Sequence, residues 1–526
     1  MVVVEYSYEE MKKLIDLPKD QIILSLSELG APSEYEPETK KIITELTPNR
    51  PDWYSMEGLA RALRAYHNKK IPKYKTNNSD YVVVVDKSVN TIRPYTVCAV
   101  VKGLCFDDQK IRDMVLLQEK LLGTLGRKVK KFGLGVYPLG GIVFPVKYTT
   151  KKPGEIKYRP LGHEKEMSAD EILNEHKKGQ EYGHLLKGKE RYPVFIDANE
   201  KMMALIPVVN SAETGKVDET TKEIFIEVTG SDLEICKSAL NILVCTFSDM
   251  GGSVYDVLMK YEKESFITPN LKLNKMKLDT KKVVRILGIE LKQIEIEKLL
   301  KKMGYDYEKG VVSIPPYRAD ILGEIDIIED IAIAYGYNNF IPTVPGFFTV
   351  GNRKKRWDYI DDIMRGMGFL ELKTFTLTNK ERLGVLGLEE DVVEIENPNN
   401  IDYCVVRPSL IGPLLEVFTI NKMKPVPQKF YEIGEVHQKK TKKRLVFGIM
   451  DKTLDFSGMR GYLQTVAVEA GLKCDLEKKE NSIFESETSC VVLIDKKEVG
   501  VFGKVKQELM NNFGLDFDIY ICELEI

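Results

Sequence analysis

The chain has 526 residues, of which 43% are hydrophobic and 30% are charged, and its formal net charge is −2. This length exceeds what one hydrophobic core supports, and the composition is that of a globular protein with roughly three to four domains. Because the net charge is close to zero, the chain has no global basic field for nucleic acid, and RNA would have to bind through local patches or through another subunit.

The cysteine spacing and the N-terminal residues indicate the cellular compartment of the protein. None of the eight cysteines forms a Cys-x-x-Cys pair, which disfavours zinc ribbons and redox motifs and is typical of a reducing compartment. The first residues lack a basic stretch followed by an apolar core, and no apolar run approaches the roughly 18 residues of a membrane-spanning helix. We therefore expect a cytoplasmic protein with no membrane partner.

Residues 1–80 predict a small module of helices and strands. Apolar residues recur at helical spacing in 11–15 and 22–24, whereas Lys41–Leu46 alternates as a strand does. The stretch 51–66 opens with Pro-Asp, which favours a helix start, and its apolar stripe indicates an amphipathic packing helix.

Residues 81–265 predict a larger, strand-rich domain. Helical periodicity is present at 107–126 and 168–176, and a last helix is predicted from Asp232 onward. Runs of apolar and β-branched residues predict strands at 194–196, 202–209 and 224–228.

Two weaker signals in this domain have ordinary explanations. The word Phe132-Gly-Leu-Gly135 lacks the dinucleotide fingerprint, so we assign it to a turn. The spacings between His163, His176 and His184 match no metal motif, so we expect solvated or packing histidines.

Two segments follow. Residues 266–342 predict a module with short helices at 276–287 and 293–300. Residues 350–526 predict a sheet in which strands at 430–436 and 445–450 form a hairpin.

Two basic runs in the last segment are candidate RNA contacts. Arg353-Lys-Lys-Arg356 and Lys439-Lys-x-Lys-Lys-Arg444 both offer local positive charge to phosphate groups. The second run lies between the two predicted hairpin strands, so a solvated hairpin tip is its simplest explanation, with RNA contact as the alternative.

The densest group of acids lies in PPYRADILGEIDIIEDIAIAYGYNN, residues 315–339. The two prolines keep its start extended, so a helix is predicted to begin near Glu324 or Asp326. Gly336 occupies the position expected of a helix C-cap.

The acids of this helix have two explanations. Asp326, Glu329 and Asp330 stand at i, i+3 and i+4, which predicts one shared face opposite the isoleucines. In the first, the acids lie at the helix start because the positive end of the helix dipole stabilises negative charge there. In the second, they join Asp320 as oxygen ligands of a Mg²⁺ ion, which relieves the repulsion between the carboxylates. Spacing alone does not decide between the two.

The same segment contains a recognisable sequence motif. The string P-x-Y-R-x-D-I-x-x-E-x-D-I-I-E-D-x-A-x-x-Y-G-Y-N resembles a hallmark of the phenylalanine–tRNA ligase beta-subunit family, most closely its archaeal and eukaryotic type. In that family four acids bind magnesium beside the catalytic alpha subunit. The resemblance implies that Mg²⁺ is bound here by Asp320, Asp326, Glu329 and Asp330. Gly323, where related archaeal sequences often carry His, departs from the pattern but is not one of the four.

Other segments resemble the same family in the same order along the chain. They include N-R-P-D and E-G-x-A-R-A-L in 1–80, Arg159-Pro-Leu-Gly162 in 81–265, and Phe430-Tyr-Glu-Ile-Gly434 in 350–526. The resemblance implies an α+β, multidomain fold. Its parts are an N-terminal α+β module (1–80), a tRNA-editing-like domain (81–265), a DNA-binding-like helical module with the acidic segment (266–342), and a class II synthetase-like antiparallel-sheet core without catalytic motifs (350–526).

The last core lacks the arginines of a working class II site. Its Arg-x-acid motif is Arg356-Trp-Asp358, which is preceded by Lys355 rather than by Phe. In addition, no Gly-x-Gly is followed by the Arg that a second motif requires. The resemblance therefore implies no catalytic residue for aminoacylation in this chain. ATP and phenylalanine would bind to alpha subunits in an α₂β₂ tetramer that charges tRNA(Phe). The rival hypothesis is a non-enzymatic RNA-binding or scaffold protein that keeps the fold only, and stable co-purification with an alpha subunit separates the two.

The resemblance further implies hydrolysis of tyrosine mischarged onto tRNA(Phe). Residues 203–210, MALIPVVN, resemble the family's L-S-x-P-P-I-I-N, with Ala204 in place of Ser and Ile206 in place of the first Pro. Asn210 is the candidate reader of the tyrosine hydroxyl, because an amide both donates and accepts hydrogen bonds. From the residues alone, Asn210 is equally well explained as a turn residue after a strand.

Overall fold

The computed structural model describes residues 2–344 and 359–526, together with 346 and 351. The chain divides after Val344 into two compact units. The basic run at 353–356 and the Arg356-Trp-Asp358 word lie outside the described residues. No described helix is both long and apolar enough to cross a lipid bilayer.

The first unit mixes helices and strands along its whole length. Its helices are α1 (Tyr8–Ile15), α2 (Lys19–Glu28), α3 (Met56–Tyr66), α4 (Asp108–Gly123), α5 (Ala169–Glu175), α6 (Lys177–Tyr182), α7 (Leu233–Asp249), α8 (Thr280–Leu287), α9 (Gln293–Lys302) and α10 (Glu324–Tyr335). Short 3-10 helices lie at Pro51–Trp53, Lys87–Val89, Leu139–Gly141, Pro153–Glu155, Gly183–Leu185 and Tyr337–Asn339.

The strands of this unit are short. They are β1 (Val2–Ser7), β2 (Ser33–Glu36), β3 (Lys41–Leu46), β4 (Val82–Val85), β5 (Tyr95–Lys102), β6 (Phe132–Pro138), β7 (Val146–Lys151), β8 (Lys157–Tyr158), β9 (Met167–Ser168), β10 (Tyr192–Ile196), β11 (Met202–Leu205), β12 (Val209–Asn210), β13 (Glu223–Gly230), β14 (Ser253–Tyr255), β15 (Val257–Lys260), β16 (Ser265–Thr268), β17 (Asn274–Lys277), β18 (Asp306–Glu308) and β19 (Val311–Ile314).

Two sheets form the centre of the first unit. One has the antiparallel order β14-β5-β13-β6, and the other has the order β12-β11-β10-β7-β4-β15-β16, with β4 parallel to both of its neighbours. Side chains alternate between the faces of a strand, so Val97 and Ala99 of β5 enter one core cluster and Cys98 and Val100 enter another. This two-sided burial explains why β5 reads as a continuous apolar run.

The buried side chain of Arg61 joins the three segments predicted within this unit. Its Nη1 donates to Asp249 at the end of α7 (2.5 Å) and to the hydroxyl of Tyr74 (3.0 Å), and its guanidinium lies 3.9 Å from the ring centre of Tyr317. Tyr317 belongs to the third predicted segment and Asp249 to the second. The segments are therefore packed into one unit, and their internal boundaries stay predictions.

Most of the predicted elements in the first unit are confirmed. The helix from Asp232 is α7, in which the Asp232 carboxylate accepts from the backbone N–H of Glu234 and Ile235, as an N-cap does. Helix α10 begins at Glu324, and Gly336, whose φ is 94°, is its C-cap as predicted. His176 is buried and accepts from the backbone N–H of Lys178 through Nδ1, which makes it a packing histidine as predicted.

The strand predicted at 202–209 is wrong in its second half. The chain turns after Leu205, where the backbone N–H of Val208 donates to the Leu205 carbonyl at 2.7 Å. Pro207 has no N–H to give to a strand ladder, which favours a turn here. The result is a hairpin of β11 and β12 in which Ala204 is the register partner of Asn210.

The helix predicted at 276–287 is also wrong at its start. Met276 lies in β17, where it pairs with Val312, and α8 begins only after Asp279. The Asp279 carboxylate accepts from the backbone N–H of Lys281, so this acid caps the helix rather than lying inside it.

The second unit is built around one large, mainly antiparallel sheet. The strands of this unit are β20 (Leu370–Glu371), β21 (Leu377–Thr378), β22 (Val393–Glu394), β23 (Val405–Val406), β24 (Gln428–His437), β25 (Thr441–Met450), β26 (Cys474–Lys478), β27 (Cys490–Ile494), β28 (Lys497–Lys504) and β29 (Ile519–Glu525). The large sheet has the strand order β20-β24-β25-β29-β28-β27-β26, and a small second sheet has the order β21-β23-β22. The helices are α11 (Ile360–Gly366), α12 (Lys380–Val385), α13 (Ile411–Ile420), α14 (Phe456–Glu469) and α15 (Gln507–Asn512), with a 3-10 helix at Ile401–Tyr403.

The hairpin predicted in this unit is confirmed by the pairing of β24 with β25. Strand β25 begins at Thr441 rather than at 445, so only Lys439 and Lys440 of the basic run lie in the turn, and three of its five cations pair with acids of the same unit. Lys439 lies 3.3 Å from Asp391, and Lys442 and Arg444 pair with two carboxylates of β29 at 2.7 and 2.5 Å. The hairpin-tip explanation therefore holds for Lys439 and Lys440, whereas Lys442 and Arg444 are strand residues paired with β29.

Candidate functional site

The acidic segment is organised around the buried side chain of Arg318. Its Nε and Nη2 donate to the two carboxylate oxygens of Asp320 at 2.8 and 2.7 Å, and Nη2 also lies 2.7 Å from Oδ2 of Asp330. The hydroxyl of Tyr305 donates to the same Asp330 oxygen at 2.5 Å. Burial by itself raises the pKa of the Asp320 carboxyl, but the Arg318 guanidinium outweighs burial and holds that pKa below its ordinary value.

The other two acids of the predicted metal site lie elsewhere on α10. Oδ2 of Asp326 accepts from the backbone N–H groups of Leu322 and Gly323, both at 2.8 Å, which makes Asp326 a cap of the helix start. Glu329 is exposed, whereas Asp330 is only 5% exposed. The three acids share one side of α10 as predicted, but this side is not uniformly exposed, because Asp330 is buried against Arg318 and Tyr305.

These residues as placed do not fit a four-carboxylate Mg²⁺ site. Two of the acids already have a guanidinium as counter-charge, a third is engaged with backbone N–H groups, and the fourth faces solvent. Among residues 2–344 and 359–526, no three His, Cys, Asp or Glu side chains form a group suited to a metal. The Mg²⁺ site therefore rests on the family resemblance alone.

The second candidate site is a cavity of about 930 Å³ in the first unit. Its wall includes the β11–β12 turn at Pro207, the side chain of Asn210, the start of β6, and residues from α4 and α6. Ala204, the register partner of Asn210, is fully buried behind this wall. The structure thus brings the two predicted editing residues together on one hairpin.

A chain of hydrogen-bonding groups leads from Asn210 into the core. The hydroxyl of Tyr137 lies 3.1 Å from Oδ1 of Asn210 and 3.3 Å from Oε1 of Glu227, a residue that is 1% exposed. Burial raises the pKa of the Glu227 carboxyl to about 8, and the nearby Arg93 charge offsets only part of this effect. The Tyr137 hydroxyl donates to Glu227 Oε1 when that carboxyl is ionised; in the protonated form, which a pKa of about 8 favours near neutral pH, the carboxyl would instead donate to the Tyr137 oxygen.

This protonation state fixes the orientation of the Asn210 amide. When Glu227 donates to the Tyr137 oxygen, the single Tyr137 proton is free to donate to Oδ1 of Asn210. The amide NH₂ is then left for a ligand in the cavity. In this arrangement Nδ2 of Asn210 is the atom left to donate, whereas the sequence left both roles open.

The comparisons with known proteins bear on the whole chain. It is 35% identical to the phenylalanine–tRNA ligase beta subunit of Archaeoglobus fulgidus over 542 residues, which cover 100% of this chain and 98% of that one. The chain belongs to the phenylalanine–tRNA ligase beta-subunit family. The beta subunit of Methanosphaera stadtmanae is 32% identical, with coverage of 100% and 99% of the two chains.

Family models and a solved structure agree with this membership. Residues 276–337 match the tRNA synthetase B5 domain, and residues 341–526 match the phenylalanyl tRNA synthetase beta chain CLM domain. The crystal structure of an N-terminal fragment of the phenylalanyl-tRNA synthetase beta subunit from Pyrococcus horikoshii has a TM-score of 0.60 and 33% identity. It covers 64% of this chain and 99% of that fragment. The predicted resemblance is confirmed, as is a mixed fold of helices and sheets.

Glu227 and Tyr137 are buried behind the candidate cavity, and the sequence reasoning missed both. Glu227 is an isolated acid in the apolar strand β13, and that break in the pattern was its available signal. Phe132-Gly-Leu-Gly135, assigned above to a turn, belongs instead to β6, where Gly135 pairs with Glu227. A Cβ atom at Gly135 would lie 2.6 Å from the Tyr137 hydroxyl and 2.8 Å from Glu227 Oε1, so the glycine makes room for this pair.

Proposed function

We propose that the chain is the non-catalytic subunit of a phenylalanine–tRNA ligase, assembled with alpha subunits into an α₂β₂ enzyme. That enzyme couples phenylalanine to tRNA(Phe) with ATP, and the alpha subunits bind ATP and phenylalanine. The observation that carries the proposal is the beta-subunit family membership along the whole chain.

Two arginines of the second unit that are engaged with buried carboxylates, Arg407 and Arg444, support the non-catalytic assignment. The side chain of Arg407 is 2% exposed, and its Nη1 lies 2.9 Å from a Glu432 oxygen. Arg444 is held in the same way by Glu523 at 2.5 Å. A guanidinium that left such a carboxylate for a nucleotide phosphate would leave a buried charge unpaired, at a cost of about 3–5 kcal/mol.

Co-expression with an alpha subunit tests this assembly. We expect the two chains to co-elute in size-exclusion chromatography as one tetramer after high-salt washing. The RNA-binding or scaffold alternative predicts instead that the chain elutes without alpha and binds RNA by itself.

We also propose that the cavity beside Asn210 hydrolyses tyrosine mischarged onto tRNA(Phe). Tyrosine is phenylalanine with one added hydroxyl, and a hydrophobic synthetic pocket rejects an added hydroxyl only by about a hundredfold. A second hydrolytic site must therefore bind the phenol through polar groups. The observation that supports this role is that Asn210 lines the cavity while its Oδ1 is occupied by the Tyr137 hydroxyl, which leaves Nδ2 as the free amide donor.

Asn210, Tyr137 and Glu227 each have a separate role in this proposed editing site. Asn210 Nδ2 donates to the phenol oxygen of a bound tyrosyl group. Tyr137 holds the amide in the donating orientation, and neutral Glu227 keeps the Tyr137 proton directed toward Asn210. Phenylalanyl groups offer no acceptor to the amide and would leave it unpaired, which disfavours their binding.

Deacylation by the assembled enzyme tests the proposal. We expect Tyr-tRNA(Phe) to be hydrolysed well above the rate in buffer and faster than Phe-tRNA(Phe). Equal rates for the two substrates, or no rate above buffer, would contradict it.

The Ala204→Ser variant tests whether the hairpin register matters for this site. Directly opposed residues have Cβ atoms about 4.5–5.5 Å apart, so a hydroxyl at this position reaches the neighbourhood of Asn210. One added hydrogen bond is worth roughly 0.5–1.5 kcal/mol, and we expect Tyr-tRNA(Phe) deacylation to rise by about twofold to tenfold. A rate at or below that of the wild type, in a variant of unchanged melting temperature, would show that the serine of the family motif has no such role here.

A further inference from the structure

The turn between α4 and β6 has an unusual backbone. Arg127, Lys128 and Val129 have φ angles of 48°, 53° and 66°, and none of them is glycine. Left-handed conformations are uncommon for non-glycine residues and are outliers for a β-branched residue such as valine. Strained backbone of this kind persists only where its surroundings hold it, and it concentrates at functional sites.

The surroundings of Val129 hold this turn in place. The Val129 side chain is 1% exposed, and its carbonyl accepts from Nη2 of Arg93 at 3.2 Å. Arg93 is itself fixed by the Thr229 carbonyl on β13 at 2.9 Å. The backbone N–H of Lys131 donates to the Gly126 carbonyl at 2.9 Å and closes the turn. Burial of the valine therefore turns its basic neighbours outward.

The exposed side of the turn is basic and borders the candidate editing cavity. Arg127, Lys128 and Lys130 are exposed, and both lysines line the cavity that contains Asn210. Within the described part of the chain, none of these three cations forms an ion pair with a carboxylate. The acids that line the same cavity are Glu119 and Glu181, and Glu181 is already paired with Lys178 at 3.2 Å.

We propose that this turn, residues 127–131, binds the sugar–phosphate backbone at the 3′ end of the tRNA. The inference rests on the proposed editing function. An aminoacyl group is esterified to the terminal ribose, so when it enters the cavity the last phosphate groups must lie at the cavity mouth. Lysine and arginine side chains on a preformed turn bind phosphates with little further ordering.

The test uses the assembled enzyme with Lys128→Ala and Lys130→Ala combined. Deacylation of Tyr-tRNA(Phe) is measured between 50 and 200 mM salt. Each lost phosphate contact weakens the salt dependence of binding to single-stranded RNA by about 0.7 in logarithmic slope, so the slope of log(kcat/KM) should become less steep by about 1.4. The loss should appear as a higher KM rather than a lower kcat.

The matched control is Lys73→Ala combined with Lys75→Ala. These lysines are also exposed and two residues apart, but they do not line the cavity. We expect this variant to keep the wild-type KM and salt slope. A wild-type salt slope in the Lys128 and Lys130 variant would overturn the proposal.

A second measurement separates this inference from the editing proposal. Fluorescence anisotropy reports binding of a short single-stranded RNA that ends in CCA, whether or not the enzyme hydrolyses an ester. If the wild type shows no deacylation, the editing proposal fails, and a lower RNA affinity in the Lys128 and Lys130 variant alone still supports the phosphate-binding turn. Equal RNA affinity in both lysine variants and the wild type contradicts it.

Discussion

Replacing Arg318 with methionine is expected to destabilise the first unit by about 3–5 kcal/mol. Arg318 is the counter-charge of both Asp320 and Asp330, and its side chain is only 2% exposed. Removing the guanidinium leaves two buried carboxylates without a cation, which costs far more than the lost contacts themselves. Methionine keeps much of the side-chain volume, so the loss reports on charge rather than on packing.

Urea unfolding of the variant and the wild type measures this difference. Arg285→Met is the control, because Arg285 is an exposed arginine on α8, and it should lie within about 0.5 kcal/mol of the wild type. Tyr305→Phe removes only the hydroxyl that donates to Asp330, so a loss of roughly 1 kcal/mol is expected.

The same experiment examines the predicted metal. Because Arg318 already neutralises two of the four acids, we expect the wild-type chain to unfold at the same urea concentration with excess Mg²⁺ and with EDTA. A higher midpoint in Mg²⁺ would show that the acids rearrange around the ion, as the family resemblance implies.

The Glu227→Gln variant is expected to remove a pH dependence from editing. Above pH 8 the wild-type carboxyl loses its proton, accepts from Tyr137, and withdraws that hydroxyl from Asn210. The deacylation rate relative to the spontaneous rate should then fall with a midpoint near pH 8. Glutamine donates to Tyr137 at every pH, so the variant should keep its rate through this range.

Stability offers an independent readout of the same group. Burial raises the pKa of Glu227 from 4.5 to about 8, so the folded state keeps a proton that the unfolded state releases. Its contribution to stability is fully present below pH 4.5 and is lost as the pH rises to about 8. The Gln variant lacks this loss. Parallel pH profiles of stability for the variant and the wild type would show that Glu227 is ionised throughout.

Local sequence patterns were sufficient to predict many of the helices and strands. The apolar repeat before Gly336 and the side chain of Asp232 fixed the ends of α10 and α7, because capping and periodicity act within a few residues. Pro207 was visible in the sequence as well, and its missing N–H should have broken the predicted strand into the hairpin that carries Asn210.

The partners of the buried polar groups could not be predicted in this way. Arg318 belongs to the sequence motif recognised above. Its contacts with Asp330 and Tyr305, however, depend on how α10 packs against the segment that follows α9. The Glu227–Tyr137 contact depends likewise on strand register across β6 and β13. Such contacts are set by tertiary packing, which spacing along the chain does not encode.

We propose that this chain supports phenylalanine activation by an alpha subunit without performing it. ATP–pyrophosphate exchange with phenylalanine tests this most directly, measured for the alpha-free chain and for the co-purified pair. We predict exchange by the pair and none above background by the chain alone. Robust exchange by rigorously alpha-free protein, or no exchange by a stable and correctly assembled pair, would contradict it.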